Sequence, residues 1–321
     1  MQQIIDYLIN NDNFLITSHV APDGDNIGSS IALCKFLQNI GKNAYHVLDD
    51  NAPQSLSYIT SKVKIYKSSD VQNLFNDAPY NIVVLDCGNK VRVCIDKKIL
   101  DNAVKVGCID HHESNELFGD VNYLVKTASS TCEIVYQIMK KIDETKIDEI
   151  VATALYTGLA TDTGHFKFDC TSQSSFYMAA DLLSKNAKKQ DVVKNIYQSD
   201  DYNYKRMEAN LVLNEMEKLD EICVMTLTQD ILSEFGIDMK DTEDLVNNTL
   251  NIQGVELGIL LKEKSKNIVK GSLRSKQRVD CNQIAKHFGG GGHIRAAGFT
   301  INDINIEDAK KLVLDYVKNY V

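Results

Sequence analysis

Proline is scarce here, three residues in 321, and with 44% hydrophobic and 25% charged residues that scarcity argues for a folded globular chain and against extensive disorder. Disulfide and zinc-knuckle patterns are missing as well. The eight cysteines include no C-x-x-C pair and no clustered spacing, so most are expected as small buried hydrophobes. No uninterrupted apolar run reaches the length of a membrane span. The start, Met1-Gln2-Gln3-Ile4-Ile5-Asp6, has neither a basic stretch nor an A-x-A-like cleavage site, so no signal peptide is expected and the cytoplasm is the default location. A basic excess is also absent. With 35 Lys and Arg against 44 Asp and Glu the formal net charge is −9, whereas a protein that grips long nucleic acid shows a basic footprint. Any nucleic-acid substrate should therefore be short, and neither duplex DNA nor a membrane is an expected partner.

What the chain does contain is a series of apolar runs that end in ionisable residues. Its length suggests about two domains by the soft prior of roughly 150 residues each. A helix is expected over 1–13. Next, the apolar run Phe14-Leu15-Ile16-Thr17 stops at Ser18-His19-Val20-Ala21-Pro22-Asp23-Gly24-Asp25, and helical spacing resumes from Ile27 to Ile40 before Gly41. This is a strand, a tight polar loop and a helix. In an open α/β sheet the loop leaving a strand's carboxyl end lies where ligands bind. His19, Asp23 and Asp25 suit a divalent cation such as Mn²⁺ or Mg²⁺; equally, the two Asp can cap the following helix.

Three more elements end the same way. After a short strand over 43–48 and a loop-rich stretch with a short helix near 70–75, Asn81-Ile82-Val83-Val84-Leu85 reads as a parallel strand buried on both faces and runs into Asp86-Cys87-Gly88. Asp86 is either a ligand or the cap of a turn. The strand over 104–109 ends in Asp110-His111-His112, and two tandem imidazoles after a carboxylate favour metal and phosphate chemistry over packing. Ser130-Thr131-Cys132-Glu133 opens a helix to Ile142 as a capping box, a structural assignment. The apolar helix over 148–159 leads to Asp162, with Gly164 nearby for close backbone approach. A further helix is expected over 174–183, and a long helical segment over 192–219.

From Glu221 the pattern changes to closely spaced strands over 222–227, 255–263 and 268–275, a short helix over 281–288 and a terminal amphipathic helix over 307–320. Lys262, Lys264, Lys266, Lys270, Arg274, Lys276 and Arg278, opposed locally by Glu263 alone, suggest an anionic ligand or simply solvated strand faces. Gly289-Gly290-Gly291-Gly292-His293-Ile294-Arg295 exposes backbone amides that can form an anion-binding nest, with His293 and Arg295 as further donors.

His19, Asp23, Asp25, Asp86, His111 and Asp162 provide ligands enough for two ions. With Asp86 bridging, one ion takes His19 and Asp23 and the other Asp25, His111 and Asp162. Such a pair lowers the pKa of a shared water and clamps an in-line displacement at phosphorus.

The motifs His19-x-x-Pro22-Asp23-Gly24-Asp25-x-x-Gly28-Ser29, Asp86-Cys87-Gly88, Asp110-His111-His112 and Thr161-Asp162-Thr163-Gly164, in that order, resemble the DHH phosphoesterase superfamily. Gly290-Gly291-Gly292-His293 and Ala296-Ala297-Gly298 resemble the DHH-associated (DHHA1) domain. Ser272-Leu273-Arg274-Ser275, Leu245-Val246-Asn247 and the length look most like the bacterial nano-RNase group, oligoribonucleases that also act on 3′-phosphoadenosine-5′-phosphate. His165 departs from the pattern, since another side chain often follows that glycine.

The resemblance implies an α/β fold: a Rossmann-like parallel-sheet DHH catalytic domain over 1–190, a helical linker over 191–219 and a smaller α+β DHHA1 domain over 220–321 across a cleft. It implies two divalent cations, Mn²⁺ foremost with Mg²⁺ or Co²⁺ as alternatives, and Asp86, His112 and Asp110 as catalytic residues. His112 would contact the scissile phosphate and Asp110 would orient a histidine. Ser272, Arg274, Gly290, Gly291, Gly292 and His293 would hold the substrate. The expected reaction is hydrolysis of short single-stranded RNA, dinucleotides or phosphoadenosine phosphate. A cyclic or linear dinucleotide phosphodiesterase and a non-catalytic nucleotide-binding protein are the alternatives, and homodimerisation is left open.

Overall fold

The computed structural model describes residues 1–318 and 320–321. The chain divides into two compact units, 1–199 and 200–321. The first is built on six parallel strands, β1 (Phe14–Thr17), β2 (Ala44–Val47), β3 (Ile65–Tyr66), β4 (Asn81–Leu85), β5 (Val106–Asp110) and β6 (Val121–Leu124), in the order β3-β2-β1-β4-β5-β6. Strand order reverses between β1 and β4, the topological switch point at which open α/β sheets place their ligands.

Side chains alternate across this sheet with the period of two that a pleated strand imposes. Phe14 and Ile16 of β1 join Val83 and Leu85 of β4 in one core, whereas Leu15, Ile82 and Val84 face the other. Every residue of β1 and β4 is buried, which is why these strands read as unbroken apolar runs. On the larger core lie the helices Gly24–Asn39, Thr131–Asp143 and Glu149–Asp162. The first and last of these approach so closely that Gly28 faces Ala154: a Cβ at Gly28 would lie 2.6 Å from the Ala154 carbonyl oxygen.

The second unit holds a mixed sheet of β7 (Met216–Leu219), β8 (Ile222–Leu227), β9 (Leu257–Ser265), β10 (Ile268–Ser275), β11 (Gly291–Gly292) and β12 (Ala296–Asn302), ordered β11-β12-β10-β9-β8-β7. Only β8 and β9 run parallel; the other neighbours are antiparallel. One face carries the helices Cys281–His287 and Ile306–Val317 around Leu257, Ile259 and Leu273; the other carries Tyr202–Asn214 around Met225, Leu227 and Leu260.

Several elements differ from expectation. The edge strands β3 and β6 are too short and too partly exposed to show an apolar run. The helical segment expected over 192–219 is interrupted: a π-helical turn, Val193–Tyr197, is followed by a break, the helix Tyr202–Asn214 and then β7. Asp201 starts the new helix by accepting from the amides of Asn203 and Tyr204. Where a loop was expected before Ala296, β11 and β12 form a hairpin. The terminal helix expected over 307–320 runs Ile306–Val317; Asn319 lies outside the described residues. No helix among the described residues is long and apolar enough to cross a membrane.

His46, on β2, is fully buried and neither ring nitrogen has a hydrogen-bond partner, so burial lowers its pKa from 6.5 to about 3. The folded state refuses a proton that the unfolded chain accepts below about pH 6.5, so stability is lost as the pH falls through that window towards 3. At pH 5 the loss amounts to about 2 kcal/mol. Urea unfolding of His46→Phe and wild type at pH 7.5 and pH 5 should show the substitution removing that part of the acid sensitivity; equal pH dependence in both proteins would refute it.

Candidate active site

All six sequence-selected ligands stand together at the carboxyl edge of the first sheet. His19 follows β1, Asp86 follows β4, His111 follows β5, Asp23 and Asp25 start the helix Gly24–Asn39, and Asp162 ends the helix Glu149–Asp162. Asp86 is the centre. Its Oδ2 lies 3.5 Å from His19 Nε2 and its Oδ1 3.6 Å from His111 Nε2, so its two oxygens face different halves of the cluster. His19, Asp23 and Asp86 form one group of potential metal ligands; Asp25, His111 and Asp162 form another; Asp86, His111 and His112 form a third. These groups could hold a metal ion.

Backbone geometry aims Asp86. At the end of β4 its φ is 54°, a left-handed conformation that an aspartate tolerates better than most residues and that turns the side chain out of the strand's alternation. Thr131 Oγ1 donates to its Oδ1 at 3.1 Å. The loop after β1 is fixed by Asn26, which accepts from Ser18 Oγ at 2.6 Å and donates to the His19 carbonyl at 3.0 Å. Val20 and Cys94 extend the loop's pairing through bonds to the Arg92 and Ser18 carbonyls, each 2.8 Å.

Backbone carbonyls orient two of the imidazoles. His19 Nδ1 lies 2.7 Å from the Val20 carbonyl and His111 Nδ1 3.3 Å from the Ala128 carbonyl. A carbonyl only accepts, so Nδ1 carries a proton and Nε2 is the atom left facing the carboxylates, able to give its lone pair to a cation bound there. His112 differs, because its Nδ1 meets the Asp110 carboxylate at 2.8 Å. That bond, acting against burial and helped by the Asp86 charge, pushes its pKa up to about 9. Asp110 also accepts from the His111 and His112 amides and from Asn115 Nδ2, which immobilises it.

Asp23 caps the helix with one oxygen and turns the other towards His19 and the cluster. Oδ1 accepts from the Asn26 amide at 3.0 Å, and Oδ2 stands 3.7 Å from His19 Nε2. Asp25 is wholly buried and takes the Thr131 and Cys132 amides at 2.6 and 2.9 Å, at the start of the helix Thr131–Asp143. Burial first and the Asp86 charge second still drive its pKa well above the usual carboxylate range. Asp162 is raised in the same way, by burial and then by Asp25. Asp86 alone falls: burial pushes it up, but the His19 bond and the charges of His111 and His112 outweigh that. Crowded carboxylates of this kind call for a cation, and the donor set, imidazole nitrogen with carboxylate oxygen, fits a divalent one.

The helix start at Thr131 was the functional element that sequence pattern assigned to structure alone. Ser130 does cap, accepting from the Glu133 amide at 3.1 Å. Glu133, however, reaches to Ser129, taking its amide at 2.9 Å and hydroxyl at 2.6 Å, so no reciprocal capping box forms at Ser130. Polar residues at a helix start beside acidic strand ends are the signal that could have marked it.

In the second unit the expected substrate residues lie on neighbouring strands. Ser272 of β10 pairs with Gly298 of β12, which pairs with Gly291 of β11, and Arg274 pairs with Ala296. This register makes a row of small residues beside Arg274. The glycine segment is not an open nest. The amides of Gly289, Gly290, Gly292 and His293 are taken by Lys286, Ala285, the Asn282 side chain and Ala296, because the segment first folds back on the helix Cys281–His287 and then closes into the β11–β12 hairpin. His293 is exposed. The basic residues are not opposed by Glu263 alone: Lys262 and Lys270 both reach Glu243, Arg278 reaches Glu221, and Lys276 donates to the Ile252 carbonyl.

Fold and site together define a class: an α/β phosphoesterase with a His and Asp ligand cluster at the switch point of its sheet, joined to a smaller α+β domain. The DHH family, N-terminal domain, matches residues 13–159 and the DHHA1 domain matches residues 220–319. The chain belongs to the DHH/DHHA1 phosphoesterases, metal-dependent hydrolases, and is similar to their bifunctional oligoribonuclease and PAP phosphatase members. It is 29% identical over 306 residues to the Thermus thermophilus protein named bifunctional oligoribonuclease and PAP phosphatase NrnA, covering 94% of this chain and 88% of that one. It is 24% identical to the cyclic-di-AMP phosphodiesterase PdeA of Listeria monocytogenes, covering 99% of this chain but 49% of the relative. Among solved structures, an exopolyphosphatase-related protein from Bacteroides fragilis superposes with a TM-score of 0.89 at 28% identity, covering 100% of this chain and 97% of that one.

Gly158 tests how tightly the site is held. A Cβ there would lie 2.6 Å from Asp25 Oδ1 and 2.3 Å from Cys132 Sγ. Gly158→Ala should displace Asp25, destabilise the fold by roughly 1–3 kcal/mol and weaken divalent-cation binding, read by thermal melting and calorimetric metal titration. Wild-type values in both would show that the packing is looser than described.

Proposed function

We propose that this chain is a two-metal hydrolase of short nucleotides, cleaving the phosphodiester of dinucleotides and other short oligoribonucleotides and the terminal phosphate of 3′-phosphoadenosine-5′-phosphate. The observation that carries the reading is Asp86 standing between two ligand groups, one oxygen towards each. His19, Asp23 and Asp86 would hold one ion and Asp25, His111, Asp162 and Asp86 the other, with Mn²⁺ the preferred metal. When bound, the ions supply Lewis acidity and a water acidic enough to attack phosphorus near neutral pH.

The protein's own groups do the rest. Asp110 holds His112 protonated, leaving its Nε2–H to donate to a phosphate oxygen and to offset charge that builds during displacement. Asn26 and Thr131 keep the loop and Asp86 from shifting as charge moves. Ser272, Arg274, His293 and the row of small residues along Gly291 and Gly298 form the nucleotide-binding face; the small residues leave room for sugar or base to lie against the sheet, and Gly290 and Gly292 tie the hairpin down. The net charge of −9 supports short substrates over long polyanions, and the cytoplasm is the expected setting. A cyclic-dinucleotide phosphodiesterase is the second reading, favoured by the similarity to PdeA; the chain spans about half of that relative's length.

Wild type should hydrolyse a ribodinucleotide with Mn²⁺ and not without it, and bind two equivalents per chain. Asp86→Ala should lose more than about a hundredfold in kcat/KM and bind fewer ions. Equal rates for both proteins, with and without Mn²⁺, would sink the mechanism. A panel including phosphoadenosine phosphate and a cyclic dinucleotide decides between the two substrate readings.

A further inference from the structure

The turn that follows Asp162 holds an aromatic ring in the open. Gly164, His165 and Phe166 are all left-handed, with φ of 55°, 58° and 67°, and two of the three are side-chain-bearing residues for which that region costs energy. The chain then doubles back. The Lys167 and Phe168 amides both donate to the Thr163 carbonyl at 2.9 Å, and Cys170 Sγ to the Asp162 carbonyl at 3.4 Å. This seats the Phe168 ring directly on Gly164: a Cβ at that glycine would lie 2.5 Å from the ring, closer than any side chain allows. The two aromatic residues of the turn are treated differently. Phe166 stacks on Phe176 with centroids 5.3 Å apart and meets Tyr156 edge-on, half-buried, whereas Phe168 is 55% exposed.

A phenyl ring left largely in water forgoes much of the stabilisation that its burial would provide. Here the backbone accepts an unfavourable conformation as well, and the result is a ring fixed in the same turn as a carboxylate of the ligand cluster. An exposed ring seated on the turn that carries Asp162 is available to stack on a base, and stacking is tolerant of sequence because every nucleobase presents a π face. We propose that Phe168 is a base-stacking residue that sets the preference for nucleotides over base-free phosphate esters. This rests on the phosphoesterase reading above, and it assigns base recognition to the catalytic unit itself, in addition to the second unit's sheet face.

The chain has no tryptophan, so Phe168→Trp creates a single fluorescent reporter at the proposed contact. Titrating that variant with a nucleoside 5′-monophosphate should quench its emission saturably, while ribose 5-phosphate should not; identical responses to both, or none to either, would overturn the proposal. Independently, Phe168→Leu should lower the ratio of kcat/KM for a ribodinucleotide over that for a ribose–phosphate–ribose ester without bases by about tenfold or more, mainly through KM, and Phe168→Tyr should restore it. A ratio equal to wild type in the Leu variant would refute stacking even if its melting temperature falls. If wild type hydrolyses neither ester, the hydrolase reading fails on its own, and the fluorescence titration still decides whether a base lies on residue 168.

Discussion

Electrostatic crowding at one sheet edge is the constraint on which this molecule depends. Asp25 and Asp86 are almost wholly removed from water, Asp162 is half-buried, and all three face the same small volume. Like charges in that position repel strongly, since the surrounding dielectric is low. The fold tolerates them by surrounding each with a specific counterweight: the amide end of the helix Thr131–Asp143 for Asp25, and imidazoles with the Thr131 hydroxyl for Asp86. What remains uncompensated is the driving force for binding a cation. Gly28 and Gly158 belong to the same economy of space, because only without side chains can the helices that carry Asp25 and Asp162 come close enough to share a site.

The pairing of each histidine with a fixed acceptor turns a set of ionisable groups into an ordered one. Val20 and Ala128 offer carbonyls and so leave Nε2 of His19 and His111 as the atom facing the cluster; Asp110 offers a negative charge and so holds His112 as a cation. Three identical side chains thus acquire two chemical characters from the atom behind them. A hydrolase of phosphate esters needs both characters, one to hold metal and one to meet the anionic substrate.

Much of this was written in the sequence because the relevant signals are local and abrupt. A β-branched run buried on both faces, stopping at a carboxylate and a glycine, marks β4 and Asp86 together; the same logic finds His19 after β1 and His111 after β5. The structure groups His19 and Asp23 with Asp86, and His111 and Asp162 with Asp25, the two sets expected on the condition that Asp86 bridges. What escaped has a common cause, dependence on contacts distant in sequence. Thr131 and Cys132 serve Asp25 across more than a hundred positions, and only the polar character of that helix start hints at it. The glycines of β11 look like a loop because strand propensity disfavours glycine, yet pairing with β12 overrides propensity. The charges of Lys262 and Lys270 find Glu243 through the fold, not along the chain.

Asp23 divides its carboxylate between architecture and chemistry, one oxygen closing a helix and the other facing His19. Asparagine at that position would keep the acceptor that the helix end requires while shedding the charge. If Asp23 is the ligand proposed, loss of catalysis and loss of the fold are separable there by a single exchange, and a descendant that had abandoned hydrolysis would be free to retain an undamaged loop. An Asn at 23 alongside an intact Asp25 is the mark such a history would leave in a genome.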